Sequence, residues 1–234
     1  MSFTVKKAAR RALSLSVYVI TDPDLSRGRT PEEVCARAIE GGADVVQLRD
    51  KGAFSRRLYE AALRMRELTR KAGVLFIVND RVDIALAADA DGVHLGTDDF
   101  PVSEARRLLE PGKIIGASAS TPEEARRAEA EGADYLGVGA MFEARTTKAD
   151  AGAPIGPGAI STIKKHTNLP IVGVGGIKHS NAAEVISAGA DGVAVISAVV
   201  TADDIAAAVR ELKRIVLKAK GTLLRPAHPS TGST

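Results

Sequence analysis

One short pattern constrains the fold of this chain more than any other. Glu40-Gly41-Gly42-Ala43-Asp44, Glu131-Gly132-Ala133-Asp134 and Ala188-Gly189-Ala190-Asp191 each place glycine after a helical stretch and directly before a run that reads as a strand. Glycine enters left-handed backbone without a Cβ clash, so this device ends a helix and turns the chain into a strand. Its recurrence marks one repeated strand–helix unit. Short β-branched runs alternate with longer amphipathic stretches at a period of roughly 25 residues, which gives about eight units.

The strands are expected at Val17 to Thr21, Asp44 to Arg49, Val74 to Asn79, Gly92 to Leu95, Ile114 to Ser118, Tyr135 to Val138, Ile171 to Gly175 and Gly192 to Ile196. Thr30-Pro31-Glu32-Glu33 and Thr121-Pro122-Glu123-Glu124 mark helix starts, with threonine at N-cap, proline at N1 and acids in the first turn. Parallel strands joined by right-handed helical crossovers form an open doubly wound sheet or a closed barrel, and eight even units favour closure. The expected fold is therefore α/β, a closed (β/α)8 TIM barrel.

At 234 residues and 45% hydrophobic, the chain suits one domain with a large core. Aromatic residues make up only 3% and tryptophan is absent, so Ala, Val, Ile and Leu must fill that core. The reading divides the chain into a basic N-terminal arm or helix at 1–14, the barrel at 15–220, and a tail at 221–234. The tail is rich in Pro, Ser, Thr and Gly without periodicity and is expected to be disordered.

The net charge of +3 comes without a basic stripe interleaved with aromatics, which argues against nucleic acid as a partner. Cys35 is the only cysteine, so an intramolecular disulfide and a cysteine-rich metal site are excluded. The start of the chain lacks a signal-peptide cleavage pattern, and no apolar stretch reaches the roughly 18 residues of a membrane span. A cytoplasmic location is the expectation. Small phosphorylated molecules fit as substrates, and a homo-oligomer is left open.

In such a barrel, the loops after the strands gather at one end and carry the chemistry. Alternation along the second strand puts Gln47, Arg49 and Lys51 on one side, where a guanidinium fork and an ammonium suit an oligophosphate. The plainer reading is a strand-end cation paired with Asp50 or Asp80. Asp80 and Asp99 follow neighbouring strands, and oxygen ligands with room for substrate phosphates suit Mg²⁺. Alternatively, each carboxylate caps the helix that follows it. Gly175-Gly176 and Ile196-Ser197 stand where barrels commonly bind a phosphate on backbone N–H groups.

The stretch from Gly139 to Gly156 reads as an active-site lid, with Lys148 either reaching a phosphate or simply solvated. His94, at a strand end, either orients a ring or is a satisfied core histidine. Cys35 and His166 lie within helix patterns. No Ser-His-Asp arrangement or paired-histidine metal spacing is present.

From Tyr18 to about Val200, the chain resembles the thiamine phosphate synthase (thiamine phosphate pyrophosphorylase) family. The resemblance is carried by Tyr18-Val19-Ile20-Thr21-Asp22, Gln47-Leu48-Arg49-Asp50-Lys51, Asn79-Asp80-Arg81, Asp91-Gly92-Val93-His94-Leu95-Gly96, Gly116-Ala117-Ser118, Asp134 to Gly139 and Gly175-Gly176-Ile177, in the family's order. It implies a transferase that condenses 4-amino-2-methyl-5-pyrimidinylmethyl diphosphate with 4-methyl-5-(2-phosphoethyl)thiazole, giving thiamine phosphate and pyrophosphate through a pyrimidinylmethyl cation. It also implies roles for particular residues. Arg49, Lys51, Asn79 and Lys148 hold the diphosphate, Asp80 and Asp99 hold Mg²⁺, and Gln47 meets the pyrimidine. Gly176, Ile196 and Ser197 take the thiazole phosphate, and Ser118 lies near the pyrimidine and leaving group.

The lid departs from the family's Gly-Pro-x-Phe-Pro-Thr-x-Thr-Lys. Glu143-Ala144-Arg145-Thr146-Thr147-Lys148 is one residue longer and keeps only Thr147 and Lys148, so either Thr146 or Arg145 stands for the earlier threonine. Competing readings are a thiazole tautomerase-like isomerase, which needs no diphosphate-binding constellation, and a non-catalytic phosphate-ligand sensor, which needs no paired carboxylates.

Overall fold

In the computed structural model, which describes residues 13–143 and 153–221, eight parallel strands close into a barrel in sequence order. They are β1 (Val17–Ile20), β2 (Val45–Leu48), β3 (Leu75–Asn79), β4 (Gly92–Leu95), β5 (Ile114–Ala119), β6 (Tyr135–Val138), β7 (Ile171–Val174) and β8 (Gly192–Val195). Each agrees with its expected span to within a residue at either end. The helices are α1 (Pro31–Glu40), α2 (Ser55–Ala72), α3 (Val82–Ala87), α4 (Val102–Leu108), α5 (Pro122–Glu131), α6 (Gly158–Ile163), α7 (Ala182–Ser187), a single turn α8 (Ser197–Val200) and α9 (Ile205–Ala219). The proposed N-terminal helix and most of the tail lie outside the described residues.

The helix starts behave as their sequences require. Thr30 and Thr121 each accept a hydrogen bond from the backbone of the third helical residue, Glu33 or Glu124, whose carboxylate accepts one from the cap's own N–H. Two orphan donors are thereby satisfied at each start. Strand alternation then sorts the core. Val17, Val19, Val46 and Leu48 face the helices, whereas Tyr18, Ile20, Val45, Ile77, Tyr135, Val172 and Ala194 fill the barrel interior.

The glycine pattern does more than end helices. The residue two places after the left-handed glycine, Asp44, Asp134 or Asp191, uses its backbone N–H to donate to Val17, Ile115 or Ile171 of the preceding strand. Its carboxylate accepts the N–H of that same residue, at 2.9 Å in each case. Asp91 makes the fourth such clamp, on Phe76, at 2.8 Å. A cation from a helix completes each one: Arg66 of α2 for Asp91, Arg106 of α4 for Asp134, Lys164 at the end of α6 for Asp191, and Lys213 of α9 for Asp44. The left-handed turn two residues before the aspartate belongs to Gly42, Gly132 and Gly189, and in the fourth clamp to Asp89, at φ 51°. Aspartate tolerates that region better than most side chains, which is why the fourth unit has the geometry without the glycine.

Asp134→Ala should strip the partly buried Ile115 N–H of its acceptor and Arg106 of its counter-charge, costing about 2 kcal/mol. Removing the exposed Lys71 beside Glu67 should leave stability unchanged. Urea unfolding of the two variants checks the contrast, and equal midpoints would show that the clamp carries no stability.

Candidate active site

The polar strand ends converge at the C-terminal mouth of the barrel. The second strand stops at Leu48, so the extended run expected through Lys51 is shorter, and Lys51 reaches the rim from a turn. Arg49 is held from β1. Its N–H donates to the Thr21 hydroxyl at 2.9 Å, and its Nη1 pairs with Asp22 at 2.8 Å. Both side chains are largely buried, the guanidinium 12% exposed and the carboxylate 4%, so this pair sits under little solvent screening. Lys51 pairs instead with Asp80 at 3.3 Å. Thus Arg49 takes neither of the partners suggested by sequence, and Asp22 is a site residue that sequence reasoning left without a role.

Asp80 follows β3 in left-handed backbone, φ 60°, a conformation that costs of order 1 kcal/mol for a residue with a side chain. It does not cap α3, whose N-cap position is Arg81 and which has no side-chain cap. Nor does Asp99 cap α4. That helix starts after Pro101, and Asp99 turns back to accept the Gly96 N–H at 2.6 Å.

The two carboxyl groups stand close enough to act directly on each other. Burial, followed by the neighbouring Asp99 carboxylate, raises Asp80 to about 6 against the opposing pull of Lys51. Burial also pushes Asp99 upward, but the contacts with Asp80 and the Gly96 N–H, with the Lys51 cation nearby, hold it below the usual range. The pair therefore takes up its first proton more readily than a lone aspartate does.

Two facing carboxylates with open surroundings fit Mg²⁺, which keeps waters and takes its remaining oxygens from substrate phosphates. Among the described residues, no group of three or more His, Cys, Asp or Glu side chains is gathered to hold a metal by protein ligands alone. A crevice of about 220 Å³ opens beside Asp99, lined by Leu95, Gly96 and Ser118 and walled from α5 by Glu124 and Arg127.

Below the rim runs a line of polar contacts through the interior. Gln47, 2% exposed, donates from Nε2 to the Tyr18 hydroxyl at 2.7 Å. The Tyr18 and Tyr135 hydroxyls are 2.9 Å apart, Tyr135 is 3.0 Å from His94 Nδ1, and His94 Nε2 is 3.2 Å from the Ser118 hydroxyl. Small residues make the room. A Cβ on Gly116 would stand 2.4 Å from the Tyr135 hydroxyl and 2.5 Å from His94 Nδ1, and one on Gly137 would meet His94 Cε1 at 2.8 Å. Sequence reasoning found Gln47, His94 and Ser118 separately and missed the tyrosines that join them. The available signal was a tyrosine at an inward position of two strands, in a barrel otherwise poor in aromatics.

On the far side, Gly176 follows β7 at φ 66°, and a Cβ there would collide with the Phe142 carbonyl at 2.5 Å. Asn181 donates to the Gly176 carbonyl at 3.1 Å, and Ile196 and Ser197 open the single turn α8. Asn79 closes β3 in register with His94. Arg145, Thr146, Thr147 and Lys148 lie outside the described residues.

The comparisons with known proteins point one way. The family model described as thiamine monophosphate synthase matches residues 17–199. The chain is 57% identical over 200 residues to a thiamine-phosphate synthase of Chloroflexus aurantiacus, covering 86% of this chain and 92% of that one. It is 53% identical over 205 residues to the enzyme of the same name from Moorella thermoacetica, covering 88% and 97%. Among solved structures, a thiamine phosphate pyrophosphorylase from Pyrococcus furiosus superposes with a TM-score of 0.81 at 45% identity, covering 88% of this chain and 98% of that one. With its barrel, its rim and these relatives agreeing, the chain belongs to the thiamine monophosphate synthase family.

Proposed function

We propose that this chain condenses the aminopyrimidine diphosphate with the thiazole phosphate by a dissociative, Mg²⁺-assisted route. The observation that carries the reading is the meeting of Arg49, Lys51, Asp80 and Asp99 at one end of neighbouring strands, in a chain of this family. The carbon–oxygen bond of the pyrimidinylmethyl diphosphate breaks, and its electron pair leaves with pyrophosphate. The thiazole nitrogen then supplies the pair for the new carbon–nitrogen bond. No protein nucleophile is consumed, so the catalytic task is to stabilise departing charge and to hold the acceptor in line.

Arg49, Lys51 and Asn79 receive the diphosphate, with Lys148 assigned to it by the family resemblance. Asp80 and Asp99 hold Mg²⁺, which when bound offsets charge on the leaving group. Gln47, His94 and Ser118 orient the pyrimidine. Gly176, Ile196 and Ser197, with Thr146 and Thr147 of the lid, take the thiazole phosphate. Excluding water protects a cation that solvent would capture, the purpose we give to the lid. The reaction is tested by mixing purified protein with both substrates and Mg²⁺, where thiamine phosphate and pyrophosphate should appear in equal amounts. Failure to form either overturns the reading.

Replacing Asp80 or Asp99 by asparagine should raise the Mg²⁺ concentration needed for half-maximal activity by about tenfold or more. A magnesium titration of initial rates checks this, and unchanged dependence in both variants removes the metal assignment. Arg49→Lys should lower kcat/KM for the diphosphate substrate by about tenfold or more despite its preserved charge, because a point charge cannot serve Asp22 and a phosphate in the geometry of a planar fork. Steady-state kinetics decide the matter, and wild-type kcat/KM would confine Arg49 to a structural pairing.

A further inference from the structure

The contacts from Gln47 to Ser118 have a direction. An amide nitrogen only donates, so the Tyr18 oxygen accepts at its Gln47 contact. The Tyr18 hydrogen is then directed to the Tyr135 oxygen at 2.9 Å, since an unmade donor in a buried interior costs more than a made one returns. Tyr135 in turn has His94 Nδ1 before it at 3.0 Å. A neutral imidazole that accepts at Nδ1 carries its hydrogen on Nε2, which faces the Ser118 oxygen at 3.2 Å. Ser118 accepts there and keeps its own hydrogen for another partner.

We infer that Tyr135 is a positioning residue: by relaying the polarity of the Gln47 amide, it fixes His94 as the Nε2-protonated tautomer and turns the Ser118 hydroxyl hydrogen toward the substrate.

Three further observations support the relay. Both phenols are 1% exposed, and burial pushes each well above the ordinary tyrosine range, so both keep the hydrogen that the chain passes on. The rings pack as well as bond, with centroids 6.0 Å apart for Tyr18 and Tyr135 and 5.6 Å for His94 and Tyr135, which limits their freedom to turn away. Gly116 and Gly137 leave free the volume that the Tyr135 hydroxyl and the imidazole occupy.

The role rests on the proposed placing of the pyrimidine and its leaving group beside Ser118. There, a hydroxyl fixed as donor strengthens its hydrogen bond as negative charge develops, which lowers the barrier more than it tightens the ground state. The polar contacts inside the barrel would then act on kcat, although the tyrosines stand one and two side chains below His94.

The experiment uses the full chain labelled with ¹⁵N in histidine. Long-range ¹H–¹⁵N correlation reads the tautomer, the His94 signals being assigned by their loss in His94→Gln. The wild type should show the Nε2–H form. Tyr135→Phe and Tyr18→Phe each break the relay at a different link and should give mixed tautomers, with kcat reduced about tenfold and KM for the thiazole phosphate changed less than about twofold. A purely packing role for the tyrosines would lower the melting temperature and leave the tautomer alone. A wild-type Nδ1–H ring, or an unchanged Nε2–H ring in both variants, overturns the proposal. Absence of thiamine phosphate from the wild-type reaction would instead overturn the functional reading, and the tautomer measurement, made without substrate, would still decide the relay.

Discussion

Four carboxylates hold the lower end of this barrel in register. Asp44, Asp91, Asp134 and Asp191 each stand one residue before an even-numbered strand and exchange two hydrogen bonds with one residue of the odd-numbered strand before it. A partly buried carboxylate is expensive unless it is paired, and each is paired by a cation carried on the helix that follows the previous even-numbered strand. The arrangement is cyclic: α2 serves β4, α4 serves β6, the end of α6 serves β8, and α9 returns to serve β2. Strand register at the bottom sets which residues emerge at the top. The convergence of Arg49, Asp80 and Asp99 is therefore a consequence of these clamps as much as of the loops that bear them.

The division of labour between the two ends follows from polarity. At the lower end, each of the four clamp aspartates has an opposite charge in a fixed geometry, and the outcome is stability. At the upper end, Asp80 and Asp99 face each other with Lys51 against one of them, leaving like charges in contact. Such a pair is tolerable where a cation and a phosphorylated substrate complete the balance, which is why the site reads as a binding site rather than a structural network.

Much of this was legible in the sequence. The strand positions, the capped starts of α1 and α5, and the barrel itself follow from glycine, threonine and β-branched periodicity, all local signals. The rim residues followed from strand ends and from family resemblance. What escaped was non-local. Asp22 meets Arg49 across 27 residues of sequence, through the pairing of β1 with β2, and Tyr18 meets Tyr135 across 117, a contact across the interior that closure of the sheet creates. The fourth clamp escaped for a different reason: Asp89 stands in the left-handed position where the other three units have glycine, so the pattern was broken although the geometry was kept.

The closing clamp joins Lys213 to Asp44, 169 residues apart in the chain, and α9 also covers α1 and α7. During synthesis, a chain ending before α9 holds the residues for three clamps and lacks the cation for the one that ties the last helix to the second strand. The second strand is made before six of the others, yet its clamp is completed by a side chain made after all eight. The ring of four clamps can therefore be complete only once α9, made after the last strand, reaches back to the second.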